Sequence, residues 1–192
     1  MAGKLELDVG GMFAEKSTNL IRKGNRKIRA GKSVVFLKPL LDNRYSNDAV
    51  VTHNGIEHKA INVFFDTFRN YIDDISPTSS HPAIVNADVV CIDEVQFFPP
   101  VIVKYIEELL YAGKDVYCAG LDMDRFGVPF GQVPYLMAKA EVVTKHNAVC
   151  GFCGEDAWVS LGTAELKNKD KVNVGNDYIP ACRSCADKEG VR

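Results

Sequence analysis

The chain has 192 residues, 46% of them hydrophobic and 25% charged, with a formal net charge of −2. These are globular proportions, which exclude a disordered or fibrous chain, and the length suits one domain of about 150 residues with a small appendage. The near-neutral balance excludes bulk attraction to nucleic acid or an anionic membrane as the organising feature.

Leu5, Leu7 and Val9 alternate before Gly10-Gly11, which predicts a short strand running into a tight turn. Lys4, Glu6 and Asp8 are interleaved with them, so Met1–Asp8 is no signal-peptide core and a cytoplasmic chain is expected. No apolar run reaches the ~20 residues that span a bilayer. Ser17–Arg29 reads as a helix closed by Gly31, and its run of Arg22, Lys23, Arg26, Lys27 and Arg29 as mostly a solvated face. Ser33–Lys38 reads as a second strand stopped by Pro39. Residues 42–58 are polar and turn-rich, an exposed loop or hairpin. Val63–Ile75 carries apolar residues at helical spacing, and Ser76–Pro82 is punctuated as a loop. Val89–Ile92 is a buried strand ending on Asp93 and Glu94. Pro99-Pro100 opens a helix with an apolar face from Val101 to Leu110, ended by Gly113. Asp115–Leu121 and Glu141–Lys145 are further strands. Continuous apolar strands alternating with helices predict a doubly wound, mostly parallel α/β sheet.

The turn after the first strand has the form of a phosphate-binding loop. Residues 10–17 fit G-x-x-x-x-G-K-[ST], with Lys16 for the terminal phosphates and Ser17 for Mg²⁺, except that Glu15 stands where the second glycine belongs. A side chain there crowds the backbone, and one carboxylate–phosphate repulsion at ~4 Å is worth roughly 4 kcal/mol at an effective dielectric near 20 unless the rotamer turns to solvent. Taken alone, the broken motif is equally a surface turn. The Asp93-Glu94 pair, resembling the acidic end of a Walker-B strand, shifts the balance to a nucleoside-triphosphate site.

Six cysteines need an explanation other than disulfides in a cytoplasmic chain. Cys91 and Cys118 lie in apolar runs and read as core residues. Cys150 and Cys153 pair with Cys182 and Cys185 across 28 intervening residues, a pattern for a closed, structural tetrahedral zinc site. A redox dithiol is the lesser reading. A boundary near Val149 is expected, giving an α/β unit at 1–149 and a zinc-ribbon-like unit at 150–192. His53, His58, His81 and His146 lack metal-ligand spacing.

In register along almost the whole chain, the residues resemble the zinc-containing, type II thymidine kinases. The likeness runs through Gly10–Thr18, then Lys38 with Asp42–Ser46, and Thr52–Gly55. Ile92–Pro99, Leu121–Asp124, Pro129–Gly131, both cysteine pairs and Val174–Tyr178 complete it. The resemblance implies a phosphate-loop NTPase-like fold and ATP-dependent phosphorylation of the 5′-hydroxyl of thymidine or deoxyuridine in nucleotide salvage for DNA synthesis. It implies Glu94 as base, and contacts to ATP and Mg²⁺ from Gly10, Gly11, Met12, Phe13, Ala14, Glu15, Lys16, Ser17, Thr18, Asp42, Arg44, Asp93 and Gln96. The nucleoside would meet Met12, Phe97, Leu121, Phe130, Ser160, Val174 and Tyr178, with residues 163–178 closing over the base. It further implies a homotetramer with feedback binding of thymidine triphosphate, and no membrane or nucleic-acid partner.

Three positions depart from the family pattern. They are Glu15, the inverted order Arg125-Phe126, and Ala157–Gly162, where Ser160 is the nearest counterpart of a threonine that faces the thymine methyl. They leave open a second reading, a nucleotide-binding relative with little turnover and a regulatory role. A third is a zinc-ribbon adaptor for nucleic acid or protein, although Lys167, Lys169 and Lys171 mixed with Glu165 and Asp170 give no clean basic face.

Overall fold

The computed structural model describes residues 1–39, 49–51, 57–63, 81–163 and 177–191. Its main sheet takes β1 (Leu5–Gly10), β2 (Val34–Pro39), β5 (Ile61–Val63), β6 (Val89–Ile92), β7 (Asp115–Gly120) and β8 (Val142–His146), in the order β5-β2-β6-β7-β1-β8. Every pairing in it is parallel, as expected from the apolar runs of β2 and β6.

Alternation along these strands feeds two cores. Leu5, Leu7, Leu37, Val90, Ile92, Val116 and Cys118 face one side. There they meet α3 (Val101–Tyr111) through Ile102, Tyr105, Ile106 and Leu109, and α4 (Val133–Lys139) through Leu136. Phe36, Val89, Cys91, Tyr117 and Ala119 face the other side and meet Leu20 and Ile21 of α1 (Lys16–Arg29). Gly24 permits the close approach of α1: a Cβ there would lie 2.3 Å from the Phe36 ring. Cys91 and Cys118 are fully buried and burial pushes both thiols up, so they are packing residues as expected.

Several boundaries differ from the sequence expectations. Pro39 does not stop β2 but ends it opposite Val63. The neighbouring β6 finishes at Ile92 opposite Leu37, so the missing N–H of Pro39 interrupts no second ladder. Val63, assigned to a helix by periodicity, belongs to β5, and the rest of that predicted helix lies outside the described residues. The polar 42–58 segment contains a hairpin-like pair, β3 (Ala49–Val51) against β4 (Glu57–Lys59). A short α2 (Pro82–Val85), capped by the His81 ring accepting from the Ala83 N–H, was not expected.

Beyond β8, β9 (Val159–Gly162) and β10 (Tyr178–Ala181) pair antiparallel and lead into α5 (Arg183–Lys188). Among the described residues no helix is long and apolar enough to cross a membrane.

Candidate nucleotide and metal sites

The carboxyl ends of β1 and β6, with β7 between them, bring the two acidic and basic motifs together. Gly10 closes β1 at φ +140°, where a Cβ would fall 2.1 Å from the His146 carbonyl oxygen. The turn then enters α1 with Lys16 and Ser17 as its first residues. Lys16 Nζ donates to the Gly11 carbonyl at 2.6 Å, curling over the turn. Ser17 Oγ donates to Asp93 Oδ1 at 3.0 Å, from residues 76 positions apart. A hydroxyl and a carboxylate converging at a helix N-terminus form an oxygen donor set suited to a hard divalent cation beside phosphate.

Glu15 caps α1 in the left-handed conformation, φ +57° and ψ +24°, without a side-chain hydrogen bond to the helix. That explains the glycine of the usual motif: the position demands a backbone shape that costs other residues about 1–2 kcal/mol. The carboxylate itself is exposed, so its repulsion of phosphate is screened well below the buried-charge value. The departure at Glu15 is therefore chiefly a backbone matter. Phe13 is left-handed too, at φ +64°.

Among the described residues, Glu94 joins Phe13 and Glu15 as a non-glycine residue with positive φ, at +50°. It opens a short 3₁₀ turn, Val95–Phe97. Its carboxylate is held by Gln96, whose Nε2 donates to Glu94 Oε2 at 2.5 Å while its Oε1 accepts from the Leu121 N–H at 3.0 Å. Gln96 is buried, so it ties the end of β6 to the end of β7 and orients the acid between them.

Beside this acid, Phe97 and Phe130 meet edge to face with centroids 5.7 Å apart. Met12 is buried, and Leu121, Phe130 and Tyr178 are half-buried. Phe98, by contrast, is part of the core. Asp124 Oδ1 accepts from the N–H groups of Phe126 and Val128, fixing the turn that carries the inverted pair. The Phe126 ring is 46% exposed, with the Arg125 guanidinium 4.7 Å from its centroid. Ser160 is buried and its Oγ accepts from the Met12 N–H at 2.7 Å. Asp42, Arg44 and Val174 lie outside the described residues.

Sequence reasoning missed a cluster beneath the turn. Asp8 is fully buried on β1. Its Oδ1 accepts from Asn19 Nδ2 at 2.5 Å and lies 2.7 Å from His146 Nε2, and its Oδ2 lies 3.0 Å from Lys23 Nζ. Lys23 also reaches Glu6 at 3.1 Å. Burial pulls the Lys23 ammonium down, but Asp8 and Glu6 outweigh it and hold its pKa above the usual value. Lys27 pairs with Asp115 at 2.9 Å. The basic run on α1 is exposed at Arg22, Arg26 and Arg29, while Lys23 and Lys27 are half-buried and ion-paired. The available signal was an acid inside an apolar strand directly before a phosphate-loop turn.

The second site is made by the paired cysteines. The sulfurs of Cys150, Cys153, Cys182 and Cys185 all lie within 4.8 Å of one another. Four thiolates at Zn–S bonds of ~2.3 Å would stand roughly 3.8 Å apart, and Cys153 and Cys182 are already 3.6 Å apart. The Cys185 N–H points to Cys182 Sγ at 3.4 Å. Burial raises the Cys150 thiol, but N–H groups of Cys182, Phe152 and Cys153 overcome it and hold the pKa at about 6. The neighbouring thiol of Cys182 and burial push Cys185 up to about 12. Four sulfurs at this spacing are a donor set that fits zinc.

The six-stranded parallel sheet flanked by helices, with a strand–turn–helix motif facing an acidic strand end, is an α/β architecture suited to holding a nucleotide. The thymidine kinase family model matches residues 3–186, and the chain belongs to that family. Membership brings kinase chemistry, the phosphorylation of a nucleoside at the expense of ATP. The chain is also similar to the flagellar accessory protein FlaH from Methanocaldococcus jannaschii, at 11% identity and a TM-score of 0.49, over 81% of this chain and 75% of that one.

Proposed function

We propose that the chain transfers the γ-phosphoryl group of ATP to the 5′-hydroxyl of thymidine or deoxyuridine, in cytoplasmic nucleotide salvage. The observation that carries this is the 3.0 Å contact between Ser17 Oγ and Asp93 Oδ1, which unites the two halves of a triphosphate site. Glu94 accepts the hydroxyl proton as O5′ bonds to phosphorus and the bond to the ADP oxygen breaks. Lys16 and the N–H groups of the turn hold phosphate charge, with Asp42 and Arg44 proposed beside them from sequence. Ser17 and Asp93 would hold Mg²⁺, which would supply further charge neutralisation. Positioning and electrostatics are most of what phosphoryl transfer requires.

In this reading the base meets Met12, Phe97, Leu121, Phe130, Ser160 and Tyr178, with Val174 assigned from the family likeness alone. The four cysteines hold zinc as a closed structural centre, in keeping with a reducing compartment. A homotetramer and feedback by thymidine triphosphate follow from the family likeness.

The test is to incubate purified protein with ATP, Mg²⁺ and each common nucleoside in turn. Thymidine and deoxyuridine should yield monophosphate well ahead of cytidine and purine nucleosides. The alternative, a nucleotide-binding relative with little turnover, is favoured by one observation, the glycine position filled by left-handed Glu15. ADP binding without monophosphate from any nucleoside would select it.

A further inference from the structure

Among the described residues, the cysteine unit and the phosphate turn meet at Gly11–Met12 and at Ala14. The Met12 N–H donates to Ser160 Oγ at 2.7 Å in a buried contact between residues 148 positions apart. Backbone N–H groups are the phosphate ligands of such turns, so this one is committed to β9 instead. Ala14 is buried in a small apolar cluster with Ala148, Cys150 and Ala157, against which Cys182 and Cys185 pack. Ser160 lies opposite Pro180 in the β9–β10 pair, and Pro180 precedes Cys182 by two residues. Both contacts therefore lead into the cysteine cluster.

The anchored residues alternate with the strained ones. Met12 and Ala14 are held from outside, while Phe13 at φ +64° and Glu15 at φ +57° adopt shapes that non-glycine residues keep only when their surroundings impose them. Where a glycine would let the turn form by itself, this turn is braced. We infer that Ser160 and Ala14 are positioning residues through which the metal-holding C-terminal unit sets the shape of the phosphate turn, so that nucleotide affinity depends on metal occupancy. The inference rests on the phosphate-site reading proposed above.

The probe is ADP with Mg²⁺, titrated calorimetrically into the full chain with its metal content measured. Ser160→Ala should weaken ADP about five- to tenfold, the effect of one lost buried hydrogen bond, and Ser160→Thr should restore it. Stripping the metal with a chelator, with the sheet verified by circular dichroism, should weaken ADP at least as much. In a Glu15→Gly background the Ser160→Ala effect should shrink below about twofold, since the turn then holds its own shape; a general folding defect would not shrink. Unchanged ADP affinity in the metal-free protein, or in Ser160→Ala, overturns the inference. Should one preparation fail to fold, the other decides. Wild-type protein that binds no ADP would instead remove the phosphate-site reading, and this inference with it.

Discussion

Glu15 and Glu94 stand on two sides of one site in the same left-handed backbone shape, at φ +57° and +50°. Their surroundings differ. Glu94 is half-buried, and its side chain is fastened by Gln96, which is itself fastened to the Leu121 N–H. Glu15 is exposed and makes no capping hydrogen bond of its own. Strain next to a fixed carboxylate is what a positioned reactive group looks like. Strain under an exposed one is a cost without local return, offset from outside the turn. In the proposed reading the reactive acid sits on the fastened turn, and the weaker turn is the one that carries Glu15.

The largest effect expected from testing this contrast is at Glu94. Glu94→Gln should lower kcat by about 10³-fold, within the range of a lost general base, while ADP affinity stays within about twofold. Retained turnover would reduce Glu94 to a scaffold for Gln96. Lys16→Ala should cost roughly 10²-fold in kcat/KM by removing a charge aimed at the transferring phosphoryl group, measured in the same assay. Gln96→Ala tests the fastening. It leaves the partly buried Leu121 N–H without its acceptor and should destabilise the protein by about 1–3 kcal/mol in denaturant unfolding. It should also lower kcat about tenfold as Glu94 loses its orientation. The smallest effect is at the other side. Glu15→Gly should raise unfolding stability by about 1 kcal/mol and tighten ADP a few-fold. A loss of stability there would mean that Glu15 makes a favourable contact in the turn.

The sheet was legible because a parallel strand buried on both faces must be written as an apolar run, as Val34–Leu37 and Val89–Ile92 are. The four-cysteine cluster was legible because its spacing is its geometry. Short elements were not. The three residues of β5 and the four of α2 carry too few positions to show a period. The Asp8 cluster was invisible for another reason: Asp8 and His146 are 138 positions apart, and only the β1–β8 pairing makes them neighbours. Glu15 was legible as a departure but was read as crowding and charge. The backbone angle, absent from any sequence, shows a conformational demand instead.

The central claim is that Gly10–Ser17 and the Asp93-Glu94 strand end act together on a nucleoside triphosphate. Transfer of labelled γ-phosphate from ATP to thymidine, measured for wild-type protein and Glu94→Gln at matched ADP occupancy, tests it most directly. The account predicts labelled thymidine monophosphate from the wild type and none above blank from the variant. Product formed equally by both, or by neither, would contradict it.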